Sequence, residues 1–230
     1  MSEFDYERRI QQKREEQPFI GQTDLVYALL LEDILLHYRL PGSKINQDEL
    51  AGLMGVSRSP VRDAINRLVD KRFLIKRSQN GYFIYILTPK DCLYLIEYRT
   101  AIERQAVVLA VNRATAHDLN RLRRNQKEMT ECGPADWQRM LDLDTEFHDL
   151  LVCCSKNDYL IRAYRAFTDQ YRFLRNASLT ADMHTNIVLR HRNILLALEA
   201  KNEELADEAV RIHLKNNLED SIVAQDYTYD

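Results

Sequence analysis

Residues 50–65 read LAGLMGVSRSPVRDAI and continue as NRLVDK to Lys71, and this stretch decides the N-terminal fold. Between Val56 and Leu68 the residues Val61, Ala64, Ile65 and Leu68 form an apolar stripe at helical spacing. Arg58, Arg62 and Asn66 recur every four residues on a different face of the same segment. Upstream, Gln47 to Met54 forms a shorter helical segment, separated from the next, 58 to 71, only by the turn Gly55-Val56-Ser57. Two helices joined by so short a glycine-containing turn predict a helix-turn-helix.

The second helix of such a motif reads DNA with the residues at its start. Ser57 or Ser59 is placed to cap that start, and Pro60 is tolerated in a first turn, where its missing N–H has no intrahelical partner. Arg58, Ser59, Arg62 and Asn66 are therefore the candidate reading residues. The guanidinium fork of arginine matches guanine O6 and N7, a pairing that discriminates by about 1–3 kcal/mol. The bland alternative makes Arg58 and Arg62 ordinary solvated helix charges.

After Phe73 the apolar period changes from 3.6 to 2. Leu74 to Arg77 and Tyr82 to Leu87 are rich in β-branched and aromatic residues, and Asn80-Gly81 between them is a hairpin signal. Lys76, Arg77, Asn80 and Gly81 thus sit on a predicted wing, placed to meet phosphate or minor groove. On the other side, Leu25, Ala28, Leu29, Leu31, Ile34 and Leu35 predict a first helix from Asp24 to Tyr38, stopped by Pro41-Gly42. Three helices and a hairpin make a winged helix over 22–88. Residues 1–18, polar and closed by Pro18, are expected to be a mobile arm or a frayed helix, with structure beginning near Thr23, so that 1–21 forms an N-terminal arm.

Beyond Thr88-Pro89 the chain reads as helices over roughly 89–112, 115–131, 135–154, 157–176, 182–200 and 202–225. The expected fold class is mainly α, with an all-helical bundle of six to seven helices over 89–226. Composition agrees: of 230 residues, 45% are hydrophobic and 29% charged, with only six Gly and five Pro. The net charge of −3 argues against nucleic acid at first sight, yet residues 57–77 hold seven basic side chains against two acidic ones. The four cysteines, Cys92, Cys132, Cys153 and Cys154, lack a CxxC spacing, and no leader-like apolar stretch or membrane span is legible. The expected compartment is the cytoplasm, with no membrane partner.

In the helical half, three of six histidines fall on apolar faces of different helices: His148 beside Leu141, Leu151 and Val152; His191 beside Ile187, Ile194, Leu195 and Leu198; His213 beside Ala206, Ala209 and Val210. Asp144 precedes His148 by four residues and projects from the same side, with Cβ atoms about 5–6 Å apart. One carboxylate and three imidazoles aimed inward suit a divalent metal, Zn, Ni or Mn, whereas each histidine alone reads as a hydrogen-bonded core residue. His184 lies about 10.5 Å along the helix from His191, too far to share a small ion. His37 and His117 show no partner pattern. Tyr159, Tyr164, Phe167 and Tyr171 form an aromatic stripe that reads as core or dimer packing rather than a ligand cage.

The segment Leu50 to Ile65 resembles the LA-xx-lgVSRtPVReAL signature of GntR-family transcription regulators, in which the residues matching Arg58, Ser59, Arg62 and Gly81 contact operator DNA. Ser59 replaces the commoner Thr. Arg72 stands where the family usually has Gly, a position at which a helix end often takes the left-handed conformation. The run Leu143 to His148, Asn157 with Leu160, His191 followed 22 residues on by His213, and Arg99 with Glu103 resemble the FadR-type branch with its helical effector domain. That resemblance covers about residues 22–224. It implies that Asp144, His148, His191 and His213 hold a metal ion and that the effector is a small organic acid. Arg99 would orient the effector carboxylate by a two-pronged contact, or else pair internally with Glu103. The implied protein is a homodimeric repressor of double-stranded operator DNA. A metal-dependent hydrolase with an accessory helix-turn-helix is the rival reading.

Overall fold

The computed structural model describes the backbone of residues 5–78, 81–133, 136–176 and 183–226, and the side chains of these except residues 176, 183, 184 and 218–226. The chain divides into two compact units, Met1–Leu87 and Thr88–Asp230. It is mainly helical, with one small antiparallel sheet in the first unit.

The first unit contains α1 (Tyr6–Glu16), α2 (Gln22–Leu35), β1 (Lys44–Ile45), α3 (Gln47–Met54), α4 (Arg58–Asp70), β2 (Leu74–Arg77) and β3 (Gly81–Ile84). Val61, Ala64, Ile65 and Leu68 of α4, the expected stripe, are completely buried with Leu29 and Ile34 of α2, and with Leu30, which lay outside the expected spacing. Each of these Val, Leu and Ile side chains contributes about 1.5–3 kcal/mol on leaving water. Gly55, at φ 62°, caps α3 in the left-handed conformation and makes the tight turn. The wing pairs β2 with β3 in the register Leu74↔Ile84 to Arg77↔Gly81. Beyond the expected hairpin, the two-residue β1 adds a third strand, giving the order β1-β3-β2.

Four expectations are corrected here. Residues 6–16 are neither a mobile arm nor a frayed end but a packed helix. Asp5 caps α1 through a bond from the Arg8 N–H at 3.1 Å, and Tyr6 is buried. The Tyr6 hydroxyl donates to Asp33, a fully buried carboxylate of α2, and Arg9 Nη1 reaches the same carboxylate at 2.6 Å. The anchor is polar and long-range, so no apolar stripe announces it. Secondly, α2 stops at Leu35 rather than Tyr38, because His37 turns left-handed at φ 56° well before Pro41. Thirdly, Ser57 occupies the N-cap of α4 without a capping bond from its side chain. Fourthly, the second strand of the wing, β3, ends at Ile84 rather than Leu87.

The second unit runs through α5 (Pro89–Arg113), α6 (Ala116–Glu131), α7 (Trp137–Cys154), α8 (Asp158–Asn176), α9 (Met183–Glu199) and α10 (Glu203–Asp226). The starts of α5 and α6 are fixed by reciprocal capping boxes, Thr88 with Asp91 and Thr115 with Asp118. Asn157 accepts from the N–H groups of Tyr159 and Leu160 and so begins α8. Helix α5 packs against α7, α8, α9 and α10. The bundle core gathers Val107, Ala110, Leu143, Phe147, Leu151, Ile194, Leu198 and Val210, with Leu214 beside them. Three of the inward faces of this bundle also carry the histidines.

Candidate functional site

In the first unit, Arg58, Ser59, Arg62 and Asn66 all emerge on the solvent face of α4, opposite its apolar stripe. Arg58 is held at Nε by Asp48 Oδ1, 2.6 Å away, and Arg62 lies beside Asp63 and Ser59. Both side chains remain more than half exposed. Asn66 Oδ1 accepts from the Tyr82 hydroxyl at 3.4 Å, tying α4 to the wing. On the wing, Lys76 lies over the Tyr82 ring and Arg77 over the Phe83 ring, 4.6 Å from its centroid. Gly81 adopts φ 92°, which side chains rarely tolerate, so glycine at this turn is a backbone requirement. Asn80 lies outside the described residues. Lys44 of β1 comes within 3.5 Å of the position a Gly81 β-carbon would take. Sequence reading missed this basic residue because a two-residue strand has no readable period.

Helix α4 ends in a Schellman arrangement: the Phe73 N–H bonds Leu68 O at 2.9 Å and the Arg72 N–H bonds Val69 O at 2.9 Å. Arg72 takes the left-handed conformation at φ 60° that the resemblance assigns to glycine.

In the second unit, α7 supplies Asp144 and His148, α9 supplies His191 and α10 supplies His213. One donor atom from each lies within 4.8 Å of the others, and all four residues are buried. His148 Nε2 is 3.1 Å from His191 Nε2 and 3.0 Å from His213 Nε2; Asp144 Oδ1 is 3.4 Å from His191 Nε2. The hydrogen-bond network assigns the tautomers. His148 Nδ1 donates to Glu103 Oε2 at 2.7 Å, His191 Nδ1 faces Met129 Sδ, and the Asn217 amide donates to His213 Nε2. Each Nε2 therefore carries a lone pair: those of His148 and His191 face the shared point beside a carboxylate, and that of His213 accepts from Asn217, a bond an ion would replace.

Electrostatics point the same way. Burial holds His148, His191 and His213 well below the ordinary histidine range, His191 at about 3, so all three are neutral donors. Burial alone would raise Asp144, but the surrounding positive charge, led by Arg175, holds it below its ordinary value. Both Asp144 oxygens are buried without a hydrogen-bond partner among the described residues. Such an orphaned carboxylate facing three imidazole lone pairs is costly unless a cation joins them. The separations suit one ion at about 2.0–2.1 Å from each nitrogen. The donor set thus fits a divalent metal.

Arg99 of α5 is wholly buried near this cluster. Its Nε donates to Glu103 Oε1, which is the internal pair weighed above, yet Nη1 and Nη2 have no hydrogen-bond partner among the described residues. The guanidinium lies 3.5 Å from the centroid of Tyr171, whose hydroxyl accepts from Asn217 at 3.2 Å. Of the aromatic stripe, Tyr164, Phe167 and Tyr171 are buried while Tyr159 is exposed. Tyr171 therefore belongs to the surroundings of Arg99, a role that the reading as packing alone did not give it. Glu103, Asn217 and Arg175 were also missed as parts of the cluster. Asn217 carried a readable signal, four residues after His213 on the same helical face, and Glu103 carried one towards Arg99 but none towards His148.

The chain matches the FCD domain over residues 94–216 and the bacterial regulatory proteins of the gntR family over residues 22–84. The chain belongs to the GntR family. This GntR regulator is 34% identical over 184 residues to the uncharacterized HTH-type transcriptional regulator YdhC of Bacillus subtilis, covering 78% of this chain and 81% of that one. It is 40% identical over 139 residues to the Nta operon transcriptional regulator of Aminobacter aminovorans, 60% of this chain and 66% of that relative. Its fold is similar to a solved structure of a GntR regulator from Rhodococcus sp. RHA1, with TM-score 0.76 at 21% identity, over 89% of this chain and 99% of that one. Family and relatives are transcription regulators, some of them named repressors, and not enzymes, so the rival hydrolase reading finds no support. No helix among the described residues is long and apolar enough to cross a membrane.

Proposed function

We propose that this GntR regulator represses transcription as a two-fold dimer, gripping a duplex operator through Arg58, Ser59, Arg62 and Asn66 of α4. Lys76, Arg77, Asn80 and Gly81 of the wing take the flanking phosphates or minor groove. A small organic acid controls the grip from the helical unit, where Asp144, His148, His191 and His213 hold a divalent ion, Zn, Ni or Mn. When bound, the ion supplies positive charge and open coordination positions for a carboxylate. Arg99 orients that carboxylate with Nη1 and Nη2, and burial excludes competing water.

The observation that carries this reading is the juxtaposition of a buried, neutral, converging donor set with a buried guanidinium whose two outer nitrogens are unpartnered. Two-fold symmetry follows from the need to read paired half-sites. Control works by population shift: the acid must favour one arrangement of the reading heads over another, since equal affinity for both changes nothing.

The experiment is to purify the protein natively and identify bound metal and organic acid by mass spectrometry, then add that acid to a complex with operator DNA. The expected result is one co-purifying divalent ion and acid-dependent release of DNA. A folded, metal-free protein that takes up none of Zn, Ni or Mn removes the ion from this account.

A further inference from the structure

Glu103 occupies a position that neither metal binding nor effector binding by itself explains. It is a carboxylate with no solvent exposure, placed one helical turn after Arg99 on α5. Both of its oxygens are spoken for by different neighbours: Oε1 accepts from Arg99 Nε, and Oε2 accepts from His148 Nδ1 at 2.7 Å. On one side Arg99 keeps Nη1 and Nη2 without partners among the described residues. On the other side His148 presents its Nε2 lone pair to His191 and His213. A single carboxylate thus joins the open guanidinium to the converging nitrogens.

We infer that Glu103 is a coupling residue that makes carboxylate binding at Arg99 and metal binding at His148 strengthen each other; this rests on the function proposed above. The argument is electrostatic. A carboxylate divides one negative charge between two oxygens, and the share available at Oε2 depends on how strongly a cation draws on Oε1. With its outer nitrogens unpartnered, the guanidinium directs its charge onto Glu103. A carboxylate received at Nη1 and Nη2 takes part of that charge, so Glu103 accepts more strongly from His148 Nδ1–H. The polarised imidazole then becomes a better electron-pair donor at Nε2, as carboxylate-supported histidines are. By linkage the effect runs equally in reverse.

A second contact path has the same ends. The Tyr171 ring lies beneath the Arg99 guanidinium, and Asn217 bonds both the Tyr171 hydroxyl and His213 Nε2. It lacks a carboxylate at any point between Arg99 and His213, so Glu103, bonded to Arg99 at one oxygen and to His148 at the other, is the stronger link. A direct bond between the effector and the ion would also couple the two sites, but that coupling would not pass through Glu103.

Glu103→Gln separates these cases. A glutamine has one acceptor oxygen, and its amide nitrogen cannot accept, so it satisfies Arg99 or His148 but not both. The measurement is Zn2+ affinity, by competition with a chelating dye, for the wild type and Glu103→Gln, each with and without acetate as probe. In the wild type acetate is expected to tighten Zn2+ by about 5-fold or more. Glu103→Gln is expected to bind Zn2+ about 10–100-fold more weakly, and acetate is expected to tighten it several-fold less than in the wild type, what remains being the direct bond between the carboxylate and the ion. Equal tightening by acetate in both proteins, or none in the wild type, overturns the coupling. If metal-free wild type binds acetate no better than Arg99→Met in an NMR titration, the carboxylate reading itself falls and the coupling with it.

A measurement on the wild type alone guards against a variant that fails to fold. In metal-free, histidine-labelled protein, acetate is expected to move the His148 Nδ1 proton resonance downfield as its bond to Glu103 strengthens. An unmoved resonance under saturating acetate overturns the proposal.

Discussion

Asp48 Oδ1 lies 2.6 Å from Arg58 Nε, so an acidic residue in the first turn of α3 holds the first arginine of α4 across the helix-turn-helix. The pair is exposed and worth less than about 1 kcal/mol to stability. Under the proposed function its consequence is for binding, because Asp48 would compete with DNA for the guanidinium and add negative charge beside the phosphates. Asp48→Asn is expected to tighten binding to random duplex several-fold with an unchanged melting temperature. Arg58→Ala is expected to lose about 1–3 kcal/mol of binding to the preferred sequence. Fluorescence anisotropy at fixed salt checks both.

Arg72 holds a left-handed conformation that glycine takes without penalty. For a residue with a β-carbon this conformation costs roughly 1–2 kcal/mol, although glycine regains part of it as unfolded-state freedom. Arg72→Gly is expected to raise stability by about 0.5–1 kcal/mol, read as a higher urea midpoint with an unchanged slope. A lower midpoint would mean that the Arg72 side chain supplies more than its backbone costs.

The donor cluster predicts metal-dependent stability. An ion that binds only the folded chain stabilises it by about 2.7 kcal/mol at a hundred times its dissociation constant. Chelation is therefore expected to lower the melting temperature of the wild type, and Zn2+, Ni2+ or Mn2+ to restore it. His191→Ala, although it leaves a cavity, is expected to lose this metal response altogether.

How much of this was legible follows from the kind of signal each feature has. The α4 stripe of Val61, Ala64, Ile65 and Leu68 is a local period, and it specified both the buried face and the exposed face that carries Arg58 and Arg62. His148, His191 and His213 stood out because polar rings on three separate apolar faces need an inward purpose. By contrast, α1 is docked by Tyr6 and Arg9 on Asp33, residues more than 20 positions away, and such a pairing leaves no period in either helix. Glu103 illustrates both limits: its link to Arg99 is four residues long and was readable, whereas its link to His148 spans 45 and appeared only in the folded bundle.

Asp118 predicts an acid-sensitive start to α6. Burial alone would raise its carboxyl, but the hydrogen bonds from Lys156 and Thr115 hold it at about 2, below its ordinary 3.8. A depressed acid stabilises the fold above its unfolded value and loses that contribution as pH falls from about 4 towards 2. Asp118→Asn is therefore expected to melt lower than the wild type at neutral pH. The gap should close between pH 4 and pH 2, and a gap that stays constant across that window would remove the ionised carboxylate from the explanation.

The central claim is that α4 reads a DNA sequence with Arg58 and Arg62. The direct measurement is to offer the full-length protein a pool of random duplexes at moderate salt and sequence what it retains. The account predicts enrichment of a two-fold symmetric site by the wild type and its loss in Arg58→Ala/Arg62→Ala of unchanged fold. Retention of no preferred sequence, or of the same sequence by the double variant, contradicts it.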